Sequence, residues 1–106
     1  MMIDIPDGAV IHTVLFSFYD DVDECARQSA VEMLRSAGHT YAAGDDGLLY
    51  WRVNENLDLR KNWHLVEIGI FADHESLRRF VKSEIHQAVA ERFRTISNWA
   101  VGDLMS

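Results

Sequence analysis

The sequence predicts an α+β domain whose elements run β-α-β-β-α-β, and three observations carry the prediction. Val10–Phe18 and Trp63–Phe71 are apolar runs of strand-forming residues. Between and after them lie two stretches with apolar residues at helical spacing, each opened by an acidic cap. The block from Trp63 to Leu104 then reads as strand, cap, long helix and short closing strand. With 106 residues and 48% hydrophobic content there is material for one core, so residues 1–106 read as a single domain with an ordered core over about residues 10–105.

The first strand, Val10–Phe18, alternates His12, Val14, Phe16 and Phe18 on one face with Ile11, Thr13, Leu15 and Ser17 on the other. Apolar residues on both faces mark it as a central strand. Asp21, three residues ahead of Glu24, forms a capping-box-like start to the first helix, whose stripe is Val22, Ala26, Ala30, Met33 or Leu34, and Ala37. Gly38 is expected to end it, leaving 38–47 as a polar loop. Leu48–Val53 is the second strand, closed by Asn54, Glu55 and Asn56.

In the third strand His64, Val66, Ile68 and Ile70 share one face, and Leu65, Glu67, Gly69 and Phe71 the other. Glu67 and Gly69, if buried, call for a bulge or a close partner. Asp73 caps one long helix with the stripe Leu77, Phe80 or Val81, Ile85, Val89, Phe93 and Ile96, and His86 sits at the edge of that stripe. Trp99–Leu104 closes the sheet. This order is the split βαβ pattern of a ferredoxin-like domain, a four-stranded antiparallel sheet with both helices on one face. The other face, with Ile11 and Leu15, is too apolar to leave in water, so a homodimer is expected. At about 25 cal/mol per Å² of apolar surface removed from water, a standard-sized interface can offset the entropy of association.

Formal net charge is −7, and Met1–Asp58 holds 11 acids against 3 bases while the remainder holds 6 against 7. Such a chain repels phosphate backbones, so no nucleic-acid partner is expected. Arg78, Arg79, Lys82, Arg92 and Arg94 are the one basic cluster, read as a solvated helix face balanced by Glu75, Glu84 and Glu91. The single Cys25 cannot form an intramolecular disulfide, which fits a reducing cytoplasm. No run approaches the length of a membrane span and MMIDIPDGAV lacks the character of a targeting signal, so no membrane partner is expected. No two histidines stand at i, i+4 and no Cys/His set has zinc spacing, so neither metal nor cofactor is expected.

Several segments together resemble the stress-responsive A/B barrel (Dabb) family, from Ile11 to Leu104. His12-Thr-Val-Leu-Phe-Ser-Phe18 resembles its opening His-x-Val-Leu-Phe-x-Phe, and the segment from Gly47 to Asn56 is similar to its Gly-Val-x-x-x-x-Val-Gly-x-Asn strand. Phe71–Phe80, Ile85–Phe93 and Val101–Leu104 match its strand-to-helix turn, its later helix and its last strand. The resemblance implies a homodimer whose two sheets close into an α+β barrel. Where the family commonly has His-Pro-x-His, this chain has Ser83-Glu-Ile-His86; the Gly after the second-strand Val is Asn54, and a Pro-containing loop has become His39-Thr-Tyr41. Polyketide-cyclase members such as olivetolic acid cyclase pair the second His with a Tyr six residues earlier, and that position here is Phe80.

From the resemblance, His86 is the expected acid or base, with His12 assisting from the first strand. A neutral imidazole that titrates near ~6.5 suits proton transfer at an activated carbon. Val14, Phe16, Leu34, Phe80, Val89 and Phe93 are the expected lining for a small aromatic or polyketide-like ligand. The competing reading makes each histidine a core residue bonded to a backbone carbonyl. His64 is assigned to a strand end or a pocket mouth, and His39 and His74 to solvent. Trp51, Trp63, Trp99 and Tyr50 are read as packing rather than ligand stacking, and Cys25 as a bystander. Three functions stay open: a cofactor-independent cyclase or isomerase, a non-catalytic stress-responsive or ligand-binding dimer, and a cofactor-free or haem-degrading monooxygenase, whose Asn and Trp partners find no match here.

Overall fold

The computed structural model describes residues 4–106, so the first three residues of the N-terminal segment read above lie outside it. Its elements are β1 (Val10–Phe18), α1 (Glu24–Gly44), β2 (Leu48–Glu55), β3 (Leu65–Phe71), α2 (His74–Lys82), α3 (Glu84–Arg94) and β4 (Ser97–Met105). The four strands form one antiparallel sheet in the order β2-β3-β1-β4, a ferredoxin-like arrangement. β1 is central, as its two-sided apolar pattern predicts.

Alternation decides which side chains meet the helices. His12, Val14, Phe16 and Phe18 are buried, while Ile11, Thr13, Leu15 and Ser17 are half-buried. Pairing of Val14 with Glu67 and of Phe16 with Leu65 carries the same parity into β3. The core between sheet and helices holds Phe71, Phe80, Phe93 and Leu65, each 2% exposed or less. On the opposite face, Ile11 pairs with Ile70 and with Leu104, and Leu15 with Val66 and with Ala100.

The first helix differs from expectation at both ends. Its N-cap is Asp23, whose carboxylate accepts from the Ala26 N–H at 2.8 Å, not Asp21. At the other end it passes through Gly38 and runs on to Gly44. Gly38 is there for space: a Cβ would overlap the Trp51 ring that lies against the helix. Gly69 has a related role on β3, where a Cβ would press on Phe71 at 3.0 Å and on Trp51 at 3.3 Å. Of the two reasons expected for burying Glu67 and Gly69, a bulge or a close partner, the structure has the close partner at each, and the irregularity of the sheet lies in β2, between Leu48 and Tyr50.

The long second helix is two helices. Ser83 is extended (φ −68°, ψ 153°) and interrupts the apolar stripe without shifting it out of the core. Its hydroxyl accepts from the His86 N–H at 3.1 Å and donates to the Phe80 carbonyl at 2.6 Å, so one side chain closes α2 and caps α3. The basic cluster is a solvated face: Arg78 pairs with Glu75 and Arg94 with Glu91, both exposed, while Arg79 reaches Asp45. Among the described residues, no helix is long and apolar enough to cross a membrane.

Candidate functional site

His86 takes its position from the break at Ser83. The new N-cap aims the first turn of α3 back over the sheet, which sets the His86 ring edge-on to Phe80 at 5.0 Å. Beside it is a cavity of about 60 Å³ walled by Val14 and Phe16 of β1, Leu34 of α1, Phe80 of α2, and Val89 and Phe93 of α3. Glu67, Ala37, Ala90 and Trp99 complete the lining. His86, Ala90 and Trp99 are only half-buried, so the cavity opens between α3 and β4. A volume of this size accommodates about two waters.

Only one of the two histidines proposed as a pair lines this space. The ring of His12 lies behind Glu67 and is engaged through both nitrogens: Nδ1 lies 2.5 Å from an Asp103 carboxylate oxygen, and Nε2 lies 3.3 Å from one of Glu67. Neither proposed environment, an open cavity or a backbone carbonyl, describes it. Burial pulls the His12 pKa down, but Glu67 and Asp103 outweigh that and raise it above 6.5. With each ring nitrogen facing a carboxylate, both are donors and the ring is read as an imidazolium, with Glu67 4% exposed and the Asp103 side chain open to water.

His86 shows the opposite balance. Burial lowers its pKa, and the nearby His12 adds to that against the opposing effects of Glu67 and the Val81 backbone. The ring is neutral at neutral pH. Its Nδ1 is buried without a hydrogen-bond partner, as is Trp51 Nε1. A neutral imidazole carries a lone pair on one of its two nitrogens, the form a general base requires.

Among the described residues, no tyrosine lines the cavity to replace the hydroxyl absent at Phe80. Tyr41 packs edge-on to Phe80 at 5.0 Å, but its hydroxyl donates to Asp45 at 2.8 Å, where Arg79 and the Gly47 N–H also bind and hold Asp45 well below the usual carboxylate range. Tyr50 pairs with Ile70 in the sheet, and Trp51 is buried against Phe80. His64 lies just before β3, where its Nδ1 accepts from the Phe18 N–H at 2.9 Å and its ring stacks on Phe18. It faces a separate open groove of about 540 Å³ between α1 and the β2–β3 connection. That groove is larger, yet its cations are already spent: Arg27 binds the Val22 and Tyr19 carbonyls, and Arg35 binds the Val53 carbonyl and Glu32. His39, His74 and Cys25 are exposed.

Sequence reasoning named neither Glu67 nor Asp103 as site residues. The signal for Glu67 was its place among Leu65, Gly69 and Phe71 on the buried face of its strand. Asp103 carried none, since it meets His12 only through the β1–β4 pairing of residues 91 positions apart.

The family model described as the stress responsive A/B barrel domain matches residues 10–106. Among solved structures, a dimeric ferredoxin-like protein of unknown function from Bacteroides fragilis is 19% identical, with 94% of this chain and 98% of that one covered at a TM-score of 0.81. A Dabb family protein with a ferredoxin-like fold from Mesorhizobium loti is 15% identical over 94% and 98% of the two chains, at 0.78. SnoaB, a cofactor-independent oxygenase from Streptomyces nogalater, is 17% identical over 93% of each, at 0.66. At these identities the likeness is one of fold. No curated protein sequence matches the chain.

Proposed function

The chain belongs to the stress-responsive A/B barrel domain family, and on that footing we propose that it is a cytoplasmic homodimer that holds a small molecule beside His86 and moves a proton on it. The observation that carries this reading is a half-buried, neutral imidazole whose Nδ1 is buried without a partner next to a largely apolar cavity. The reaction class is cofactor-independent proton transfer at an activated carbon. The C–H bond breaks, the proton passes to His86, and the charge left behind delocalises onto an adjacent carbonyl oxygen held at the mouth, away from Glu67.

The cavity volume restricts what enters. An aromatic ring does not fit within about 60 Å³, so the slender or reactive end of the ligand goes inside and the rest leaves past Ala90 and Trp99. The same volume, with Phe80 where cyclases of the family carry a tyrosine, favours the second reading, a dimer that holds its ligand without transforming it. The oxygenase reading has the fold likeness to SnoaB and no feature of the cavity behind it.

The homodimer is supported by the uncovered face of the sheet, where Ile11, Leu15, Val66 and Ile68 are half-buried and Leu104 is 61% exposed. Relatives of this fold are described as dimeric. The cytoplasmic assignment rests on the lone exposed Cys25.

The test is deuterium incorporation at the central carbon of a small β-keto ester in heavy water, followed by NMR. The protein should accelerate exchange and His86→Ala should abolish the acceleration. Exchange at the background rate, with binding still visible at Ala90 and Trp99, would leave the ligand-holding dimer in its place.

A further inference from the structure

We propose that the cavity recognises its ligand through a hydrogen-bond donor, a hydroxyl or a protonated amine, for which the Glu67 carboxylate is the acceptor, and that it rejects carboxylates and other anions. This deepens the small-molecule reading above and rests on it.

The inference begins with a group that has no place in an ordinary core. Glu67 is 4% exposed and lies on the helix-facing side of β3, where its neighbours of the same parity are Leu65 and Phe71. A carboxylate is found in such a place only with a partner. The partner here is His12, one strand away at 3.3 Å, and His12 in turn holds Asp103. One imidazolium is thus shared between two carboxylates, which leaves the group one negative charge in excess. Asp103 disperses its share into water, since its side chain is 42% exposed. Glu67 cannot, and the space that it borders is the cavity.

The opposite wall adds to the same preference. His86 Nδ1 is buried with no partner, and a neutral imidazole accepts at one of its nitrogens. Among the polar side chains of the lining, Glu67 and His86 are the titratable ones, and both offer acceptors. Around them are Val14, Phe16, Leu34, Phe80 and Phe93, which give an anion neither a hydrogen bond nor a compensating charge. Like charges brought together suppress the wrong partner, so an anionic head group is excluded, whereas a donor meets the Glu67 carboxylate beside the unpartnered His86 ring. The volume sets the size of that head: one hydroxyl or ammonium and a carbon or two, with any remaining chain passing the mouth at Ala90 and Trp99.

The titratable groups that face Glu67 are His12 from β1 and His86 from α3, and those that face His12 are Glu67 from β3 and Asp103 from β4. Removal of Asp103 therefore weakens the hold of His12 on its charge without touching the cavity wall. Its effect on ligand preference separates an electrostatic role of the group from a merely structural one.

The experiment uses three probes with one carbon skeleton, butan-1-ol, butylammonium and butyrate, titrated at neutral pH into the full-length protein. The readouts are the ring resonances of His86 and the backbone amides of Ala90 and Trp99. Butanol and butylammonium should shift these signals at concentrations at least tenfold below any effect of butyrate. Glu67→Gln should cut the preference for butylammonium over butyrate at least tenfold, and Asp103→Asn, a substitution at a water-exposed side chain, should reduce it by a smaller factor if Glu67→Gln does not fold. Tighter binding of butyrate, or equal binding of all three, would overturn the donor inference while leaving the small-molecule reading in place. Absence of any shift at His86 with all three probes would overturn that reading, and the inference with it.

Discussion

Replacing His12 with leucine, a side chain of similar size, tests the buried charge group directly. In the folded protein the ring is 5% exposed and Glu67 4%, so the substitution strands a carboxylate in the core with its cationic neighbour gone. Breaking a buried pair by deleting one partner costs about 3–5 kcal/mol, because the remaining charge is desolvated and uncompensated. Asp103 adds little to this figure, since its side chain is 42% exposed and water takes over its solvation. The prediction for His12→Leu is thus a loss of about 3–5 kcal/mol, measured by urea unfolding at neutral pH with protein concentration held fixed, because a dimer's stability depends on it. The companion His12→Leu/Glu67→Leu protein removes both charges together and should recover most of the loss. A single substitution that costs less than about 1 kcal/mol, or a double one no better than the single, would refute the claim that His12 compensates Glu67.

Other expectations follow from the same geometry. Because the His12 pKa is raised on folding, its contribution to stability is complete below the ordinary histidine pKa and is lost as pH rises through the folded value; urea midpoints measured across that window should fall for the native protein and stay flatter for His12→Gln. Gly38→Ala adds a helix-favouring residue worth about 1 kcal/mol, but its Cβ overlaps the buried Trp51 ring, and overpacking of about 1–3 kcal/mol should win; a raised melting temperature would show that the ring moves aside freely. Ser83→Ala removes the cap of α3 and the bond to the Phe80 carbonyl and should cost about 1 kcal/mol, with amide exchange accelerated at His86 and Gln87 but not in α1. Size-exclusion chromatography with light scattering should give twice the mass of the 12.2 kDa chain, and Leu15→Asp together with Ile68→Asp on the open face should give the monomer; a native monomer at working concentration would count against the barrel.

The architecture was legible because it rests on alternation and spacing. β1 could be bounded at Val10 and Phe18 from its pattern alone, and the parity of β3 by itself puts Glu67 beside Leu65 and Phe71. Two of the misread helix ends have causes that periodicity misses, one a tertiary contact and one a local cap. Gly38 has the local character of a helix stop, yet it is small because Trp51, thirteen positions on, needs the room. Ser83 lies within an apolar stripe that continues from Phe80 to Val89, and its role as a cap depends on bonds to Phe80 and His86 that periodicity does not register. The candidate site divides in the same way. The apolar positions and His86 that gather around the cavity follow from face assignment, whereas the His12 environment depends on Asp103 at the far end of the chain. Interior charge on β3 was visible; what compensated it was not.

The central claim is that one histidine beside the cavity is neutral and free to act while its neighbour is charged and held. A pH titration of the histidine ring resonances by heteronuclear NMR, assigned with His12→Gln and His86→Ala, measures both at once. The account predicts that His86 titrates below 6.5, and His12 above 6.5. A His86 that titrates at or above His12 would contradict it.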